Sequence, residues 1–208
     1  MSKQNRNLPL VPHLPGGFVS PALLHQLANI AEQYGGTIKV AGNSLIILGL
    51  SPSDRTQALH ELGLETQSLS AKAIRSVAVC AGKPHCLRAI QDSTALGLLL
   101  EDKFYGTDLP GKLRIGVSGC PNCCSETFVK DIGLYGVAGG YTVVVGGNSG
   151  RKAKAGQILT AKVADDDVVP LLEKIIRYYQ TQGHPGERLG QMIDRLGFED
   201  FAAHFGVN

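Results

Sequence analysis

The sequence has 208 residues, a formal net charge of +2 and 43% hydrophobic residues. This length can bury one core or two small ones, and the hydrophobic content argues against a disordered chain. The small net charge, the lack of a Lys/Arg run and the absence of tryptophan argue against a nucleic-acid partner. No apolar stretch approaches a membrane span and the N-terminus lacks an apolar signal core, so we expect a cytoplasmic protein with no membrane partner.

The first third of the chain is predicted to form a ferredoxin-like half-domain. Residues 1–16 are proline-rich and favour an extended arm or a disordered leader. The predicted elements are then a strand at 17–19, a helix after Ser20, a hairpin of strands at 37–41 and 45–48, and a helix from Ser51 to Gly63. A polar stretch near 65–73 predicts a boundary, so the half-domain is assigned to 17–68 and a second domain to 69–208.

The second domain is predicted to be α/β. A strand at 74–79 runs into Cys80, and another at 113–117 runs towards Cys120. A helix after Cys86 is expected to have an apolar side formed by Leu87, Ile90, Leu96, Leu99 and Leu100. Later expected elements are a hairpin around 139–140, a helix at 168–180, and short helices at 185–196 and 198–205. The predicted fold class is therefore α+β.

Two close cysteine pairs are the most specific feature of the sequence, namely Cys80 with Cys86 and Cys120 with Cys124. Each pair follows a predicted strand, and cofactors bind at the C-terminal edge of open α/β sheets. Thiolates favour iron–sulfur clusters or zinc over hard cations. Structural zinc pairs usually have shorter spacing than Cys80 and Cys86, and buried structural cysteines remain a third interpretation. Spacing alone does not choose between Cys123 and Cys124.

The cysteine pattern resembles that of the sirohaem- and [4Fe–4S]-containing sulfite and nitrite reductases. The resemblance is carried by Cys-x5-Cys, by Ser-Gly-Cys-Pro-Asn-x-Cys at 118–124 and by Asp-Ile-Gly-Leu-x-Gly at 131–136. Val-Gly-Gly-Asn at 145–148 with Arg151, and Gly-Glu-Arg at 186–188, are also similar to that family. The resemblance covers about 70–205 and, more weakly, 17–63, and the size resembles the short assimilatory-type members with one module.

The resemblance implies the ligands and the cofactors of the second domain. A [4Fe–4S] cluster would be bound by Cys80, Cys86, Cys120 and Cys124. Cys124 would also bridge to the iron of sirohaem, and Cys123 would not be a ligand. Asn122 would lie beside the bridging sulfur and tune the reduction potential through its hydrogen bonds. The fold expected is thus a ferredoxin-like half-domain followed by an α/β cluster- and sirohaem-binding domain.

Polar groups near these motifs are the candidates for binding the anionic parts of cofactor and substrate. Sirohaem carries carboxylates, which a glycine-rich basic loop suits; the candidates are Gly146, Gly147, Asn148, Arg151 and Lys152. The alternative is a surface loop with solvated charges. Lys112 and Arg114 alternate on one strand face, and the resemblance implies that such a basic pair binds an oxyanion and relays protons. The alternative there is an edge strand protected by charge.

The implied function is that of an oxidoreductase, with six-electron reduction of sulfite to sulfide or of nitrite to ammonia. One departure is Asn43, which lies near a position where the family presents an arginine to substrate, so a non-catalytic electron-transfer or accessory subunit is the alternative. A zinc-stapled interaction module is a third hypothesis. The chain lacks a dinucleotide fingerprint, so electrons are expected from a separate donor such as a ferredoxin or a reductase subunit. Longer members of the family it resembles contain two fused, related modules, so the resemblance implies that this single module pairs with a second copy as a homodimer.

Overall fold

The computed structural model of the protein describes residues 8–63 and 72–206. The chain divides into two compact units, residues 1–69 and residues 70–208. The beginning of the expected N-terminal arm and the expected boundary at 68–69 lie outside the described residues. The fold class is α+β, as predicted: the first unit combines helices with a two-stranded hairpin, and the second combines helices with a five-stranded sheet.

The first unit contains two helices and a hairpin, in the predicted order. They are α1 Pro21–Gln33, β1 Thr37–Ala41, β2 Ser44–Leu48 and α2 Pro52–Leu62. Each helix begins at a serine followed by proline, and the serine hydroxyls accept from Leu23 N and Asp54 N at 3.2 Å. Gly63 ends α2 in the left-handed conformation at φ +59°.

The strand predicted at 17–19 is wrong. Residues Pro15–Gly17 form a 3-10 turn, and Gly16 and Gly17 have φ of +60° and +81°, values that a strand does not accommodate. Leu10 bridges to β2 instead, with its N–H 3.0 Å from the oxygen of Ile47 and its oxygen 2.8 Å from Ile47 N. Leu10 and Leu14 are buried, so this part of the expected arm belongs to the core of the unit.

The second unit is built on a five-stranded sheet in the order β3-β4-β5-β6-β7. The strands are β3 Ala78–Val79, β4 Ile115–Ser118, β5 Ile132–Val137, β6 Gly140–Val145 and β7 Gln157–Val163. The pairs β3–β4 and β4–β5 are parallel, and the later two pairs are antiparallel. The hairpin around 139–140 is confirmed, whereas β7 was not predicted. The C-terminal ends of β3 and β4 therefore meet at one edge of the sheet.

Helices flank this sheet, and the first two of them differ from the sequence prediction, which had a single helix after Cys86. The helices are α3 Gly82–His85, α4 Ser93–Phe104, α5 Asp165–Gln182, α6 Leu189–Leu196 and α7 Phe198–Ala203. The predicted apolar side, which assumed a helix starting just after Cys86, is wrong because α4 begins only at Ser93. There the Asp92 carboxylate caps the helix and accepts from Thr94 N and Ala95 N at 3.1 and 3.0 Å. Leu87 is consequently fully exposed.

The core of the second unit forms where α4, α5 and α6 pack against the sheet. Val117, Leu134 and Val143 of the sheet are fully buried in one cluster with Leu100 and Leu172 of the helices. Burial of this apolar surface is the main term that holds the sheet in place. No helix formed by residues 8–63 or 72–206 is long and apolar enough to span a membrane.

Candidate functional site

Four cysteines line a single cavity of about 220 Å³ at the C-terminal edge of the parallel strands. We call it the cysteine cavity; its cysteines are Cys80, Cys86, Cys120 and Cys124. Cys80 follows β3 directly and Cys120 follows β4 after one glycine, so the parallel pairing of the two strands brings the two segments together. Asn122, predicted to lie beside the cofactor, also lines the cavity.

Glycines allow the chain to pack closely behind the cysteine cavity. Gly82 has φ +55°, and a Cβ there would lie 2.3 Å from Ser93 Oγ. A Cβ on Gly119 would lie 2.8 Å from the oxygen of Gln91. Both distances are shorter than any side chain tolerates, so glycine is required at these two positions for the loops to reach the start of α4.

Cys123 and Cys124 differ in where they lie. Cys124 is exposed and lines the cavity, whereas Cys123 does not line it. Cys123 has φ +51° and its thiol interacts with Thr127. Burial raises the pKa of the Cys123 thiol, and the hydrogen bond with Thr127 opposes that shift. Thiolates are the form that binds metals, so the environment of Cys123 does not favour ligation.

A chain of hydroxyl groups holds the second cysteine segment in place. Ser118 Oγ lies 2.6 Å from Ser125 Oγ and 3.1 Å from Thr127 Oγ1, and it accepts from Ser125 N at 3.1 Å. Ser118 and Thr127 are buried to 99% or more. These bonds close the loop between Cys120 and the 3-10 turn Thr127–Val129, and no sequence motif indicated them.

The donor set of the cysteine cavity fits a polynuclear cluster. Four sulfur donors are the set that [4Fe–4S] clusters use, and they lie on the wall of one cavity. Within residues 8–63 and 72–206, no group of three His, Cys, Asp or Glu side chains is arranged around a single metal ion. The four thiols line one volume, and a cluster would fill such a volume with each thiolate bound to a different iron.

A second polar region lies at the opposite end of β4. Asp131 precedes β5, is fully buried, and accepts from Arg114 N at 2.7 Å. The Arg188 guanidinium donates two hydrogen bonds to the same carboxylate. Its Nε donates to Oδ1 at 3.0 Å, and its Nη2 donates to Oδ2. Lys112 and Arg75 lie close by: burial and the charge of Arg114 lower the pKa of both, and the charge of Asp131 raises the pKa of Lys112. We call Arg75, Lys112, Arg114, Asp131 and Arg188 the cationic cluster.

The cationic cluster has more positive than negative charge, and its pKa values reflect this. Burial lowers the pKa of Lys112, and the charges of Arg114, Arg188 and Arg75 lower it further, while Asp131 opposes them. Burial raises the pKa of the Asp131 carboxyl, and the hydrogen bonds from Arg188 and from Arg114 N counter that rise. The cationic cluster contains four cations and one carboxylate, and such an excess of positive charge attracts anions.

The loop predicted to bind carboxylates lines a cavity of about 380 Å³ next to the cationic cluster. Gly146, Gly147, Asn148 and Lys152 line it together with Asp131 and Arg188. Arg151 is exposed and does not line it. Loop and cluster are joined by Arg188, whose Nη1 donates to Asn148 Oδ1 at 2.8 Å.

Asn148 and Gly147 have structural roles that the sequence did not reveal. Asn148 Oδ1 also accepts from Gly150 N at 3.1 Å, and its Nδ2 donates to the oxygen of Lys152 at 3.0 Å. The amide therefore closes the loop. A Cβ on Gly147 would lie 2.3 Å from the oxygen of Phe128. Glycine is needed there to pack against the neighbouring backbone, a different reason from the approach to an anion that was expected.

The predicted site residues therefore form two groups within the second unit. The cysteines and Asn122 lie at the C-terminal end of β4, whereas Lys112, Arg114 and the loop lie at its N-terminal end. The four steps from Arg114 to Ser118 span about 13 Å at about 3.3 Å per residue. Asp131, Arg188 and Ser93 were not among the predicted site residues; the first two stand in the motifs at 131–136 and 186–188, and Ser93 carried no signal.

Comparison with known proteins gives two family matches. A model of the nitrite and sulphite reductase 4Fe-4S domain matches residues 70–207, and a model of the nitrite/sulfite reductase ferredoxin-like half domain matches residues 2–64. An assimilatory-type sulfite reductase of Nitratidesulfovibrio vulgaris is 30% identical over 192 residues, which is 91% of this chain and 88% of that protein.

Two further matches are to proteins longer than this chain. A nitrite reductase [NAD(P)H] of Bacillus subtilis is 31% identical over 190 residues, covering 90% of this chain and 24% of that protein. The structure of the Mycobacterium tuberculosis NirA protein matches with a TM-score of 0.81 at 19% identity, over 95% of this chain and 39% of the other. The chain thus spans about a quarter of that nitrite reductase, and the structural match supports the fold alone.

Proposed function

We propose a function from the premise that the chain belongs to the nitrite and sulphite reductase family. The proposed reaction is the six-electron reduction of sulfite to sulfide or of nitrite to ammonia, with a [4Fe–4S] cluster and sirohaem as cofactors. The cysteine cavity carries this proposal, because the fold brings four soft ligands together at the edge of the sheet where cofactors bind.

The four cysteines of the cysteine cavity would together bind the two cofactors. Cys80, Cys86 and Cys120 would bind the cluster from the two loops, and Cys124 would bind both the cluster and the sirohaem iron. The exposure of Cys124 supports this shared role, because its sulfur is accessible from outside the cavity. When bound, the cluster supplies single electrons and sirohaem supplies the iron that takes the anion. Asn122 would hydrogen-bond near the shared sulfur and tune the potential.

The cationic cluster would bind anions and supply protons. Lys112 and Arg114 carry the positive charge that an oxyanion needs, and Arg114 offers a planar, bidentate donor. Lys112 Nζ would hold the proton to be transferred, and its lowered pKa supports that role because an ammonium group with a lowered pKa gives up its proton more readily. Arg151 and Lys152 are exposed and would meet sirohaem carboxylates from the loop.

A homodimer is part of the proposal. Within one chain the cationic cluster and the cysteine cavity lie at opposite ends of β4, so a second copy would bring its Lys112 and Arg114 to the cysteines of the first. A feature of the first unit, taken by itself, also supports pairing between copies. Among the described residues its outer strand β1 has a strand partner on one side only, and Val40 on that strand is 73% exposed.

Electrons would come from a separate acidic carrier that docks beside the cysteine cavity. Leu87 directly follows Cys86 and is fully exposed, and Ile90 is 39% exposed. The exposed residues Lys83 and Arg88 flank Leu87. We call Lys83, Leu87, Arg88 and Ile90 the Leu87 surface. An apolar centre with basic neighbours is the usual form of a surface that binds an acidic protein transiently.

The second candidate function is a non-catalytic electron-transfer or accessory subunit. Asn43 favours it, because Asn43 stands at the tip of the β1–β2 hairpin near the position of the family's substrate-binding arginine. The Cβ of Asn43 lies 2.9 Å from where a Cβ on Gly17 would be, so the two turns pack tightly there. A protein of this second kind would bind the cofactors and lack turnover.

The first test is the visible spectrum of protein made with sirohaem precursors and purified without oxygen, before and after addition of sulfite or nitrite. The proposal expects five irons for each chain, four in the cluster and one in sirohaem, with tetrapyrrole bands that shift with one of the anions and oxidation of a reduced dye by that anion. Cofactor bands without turnover would favour the accessory subunit. Zinc without iron would overturn both redox functions. Cys120→Ala should remove the iron and serves as the control.

A further inference from the structure

The hydroxyl of Ser93 lies directly against the sulfur of Cys80. Ser93 is the first residue of α4 and is fully buried, with its Oγ 3.2 Å from Cys80 Sγ and 3.3 Å from the oxygen of Cys80. Gly119 N donates to the same sulfur at 3.2 Å. The hydroxyl of Ser93 and the N–H of Gly119, each of which has a polar hydrogen, therefore both contact the sulfur of Cys80.

The single hydroxyl hydrogen of Ser93 has two acceptors to choose between, Cys80 Sγ and Cys80 O. A thiol at Cys80 can itself donate to Ser93 Oγ, which leaves the hydroxyl hydrogen for the carbonyl. A thiolate bound to iron has no hydrogen and carries negative charge, so it can only accept. Hydrogen bonds to charged acceptors are stronger than those to neutral ones, which directs the hydroxyl to the sulfur.

The surroundings of Ser93 fix the hydroxyl in this position. Asp92 caps α4 through Thr94 N and Ala95 N, which sets the backbone on either side of Ser93. On the other side, Gly82 lies so close that a Cβ there would be 2.3 Å from Ser93 Oγ. The hydroxyl is thus enclosed between the first cysteine loop and the helix, and water does not reach it.

We propose that Ser93 is a positioning residue that raises the reduction potential of the cluster by donating a hydrogen bond to Cys80 Sγ. This inference rests on the proposed function, because it requires a cluster on Cys80. Reduction adds negative charge to the cluster and its sulfurs. A donor to a ligand sulfur stabilises the reduced form more than the oxidised form, so the potential rises.

The test is a redox titration of the holoprotein, with the reduced cluster followed by electron paramagnetic resonance. Ser93→Ala should keep a full complement of iron and make reduction less favourable, by up to about tenfold in the ratio of reduced to oxidised cluster at fixed potential, or about 59 mV for one electron. Thr94→Ala is the matched control, since Thr94 Oγ1 bonds the oxygen of Ala81 in the same loop at 3.3 Å and does not reach the sulfur.

The outcomes separate this inference from the proposed function. Wild-type protein without iron or a cluster signal would overturn the proposed function. A fully loaded Ser93→Ala protein with the wild-type potential would overturn the inference alone, as would an equal shift in Thr94→Ala. If Ser93→Ala takes up less than a full cluster, Ser93→Thr and Ser93→Val replace it. These two variants share a shape, and the inference requires the lower potential in the valine variant.

Discussion

Arg188 and Asp131 form a buried ion pair across 57 positions of the sequence, with Nε 3.0 Å from Oδ1. The carboxylate is 1% exposed and the guanidinium 21% exposed. The same guanidinium bonds Asn148, so one side chain joins the start of β5 to the loop after β6. The pair places a negative charge among the cations Arg75, Lys112 and Arg114, which would otherwise repel one another.

Removing Arg188 should destabilise the protein strongly. Arg188→Met leaves Asp131 buried without its charged partner, and we expect a loss of about 3 kcal/mol in the free energy of unfolding. The measurement is the thermal unfolding midpoint of anaerobically purified protein. Arg195→Met is the matched control, because Arg195 pairs with Glu187 at 2.8 Å on a more exposed surface, where loss of a pair costs about 1 kcal/mol or less. Equal losses in the two variants would contradict the role given to Asp131.

The two adjacent cysteines should respond differently to the same substitution. Cys124→Ser removes the proposed shared ligand and should abolish the electronic coupling between sirohaem and cluster. Cys123→Ser should leave the visible and paramagnetic resonance spectra nearly unchanged, because Cys123 lies outside the cysteine cavity. Each variant is the control for the other. Loss of the cluster in Cys123→Ser would show that the ligand assignment is wrong.

Activity should be recovered by mixing two inactive variants if the site is shared between copies. Cys120→Ser lacks the cluster and Lys112→Met lacks the proton donor, so each alone should be inactive. In dimers formed by random pairing of co-expressed chains, about one quarter of the sites would combine an intact cluster with an intact Lys112. A monomeric mass for the loaded protein, or no recovery in the mixed dimers, would contradict the homodimer.

The rate of sulfite or nitrite reduction should fall at high pH with the deprotonation of Lys112. The pKa of Lys112 lies below its ordinary value of 10.5, first because the amine is partly buried and then because Arg114 and Arg188 repel its charge. The protonated form is the active one, so activity is present below this pKa and is lost as pH rises through it. Lys112→Arg should move the alkaline fall in kcat/KM to higher pH, and an unchanged pH profile would exclude Lys112 as the group that titrates.

The Leu87 surface should affect reduction by a protein donor and not by a small dye. Arg88→Glu reverses a charge beside the exposed Leu87 and should raise the KM for an acidic carrier several-fold, most clearly at low salt. The rate with a reduced dye should stay unchanged. Arg177→Glu, an exposed arginine on α5, is the matched control. Equal effects of the two charge reversals would point to net charge rather than to a docking surface.

Much of the local structure could be predicted from the sequence, because residues close together in the chain determine where helices begin and where turns form. The serine–proline pairs fixed the starts of α1 and α2, and glycines fixed the turn of the β5–β6 hairpin. The strand expected at 17–19 failed because Gly16 and Gly17 adopt positive φ. The prediction of a helix directly after Cys86 was wrong because Asp92 caps α4, so the helix begins at Ser93, later than the spacing of the leucines predicted.

The sequence by itself determined which residue types this protein offers: two cysteine pairs after predicted strands, a basic pair predicted to lie on a strand, and a glycine-rich basic loop. The structure begins β4 only at Ile115, after the basic pair. Tertiary structure alone decided which of them meet. The parallel pairing of β3 with β4 brings the cysteines together, and the same strand direction holds Lys112 and Arg114 at the far end of β4. The contacts of Ser93 with Cys80 and of Arg188 with Asp131 span long stretches of chain, and they form only when packing of the core brings distant segments side by side.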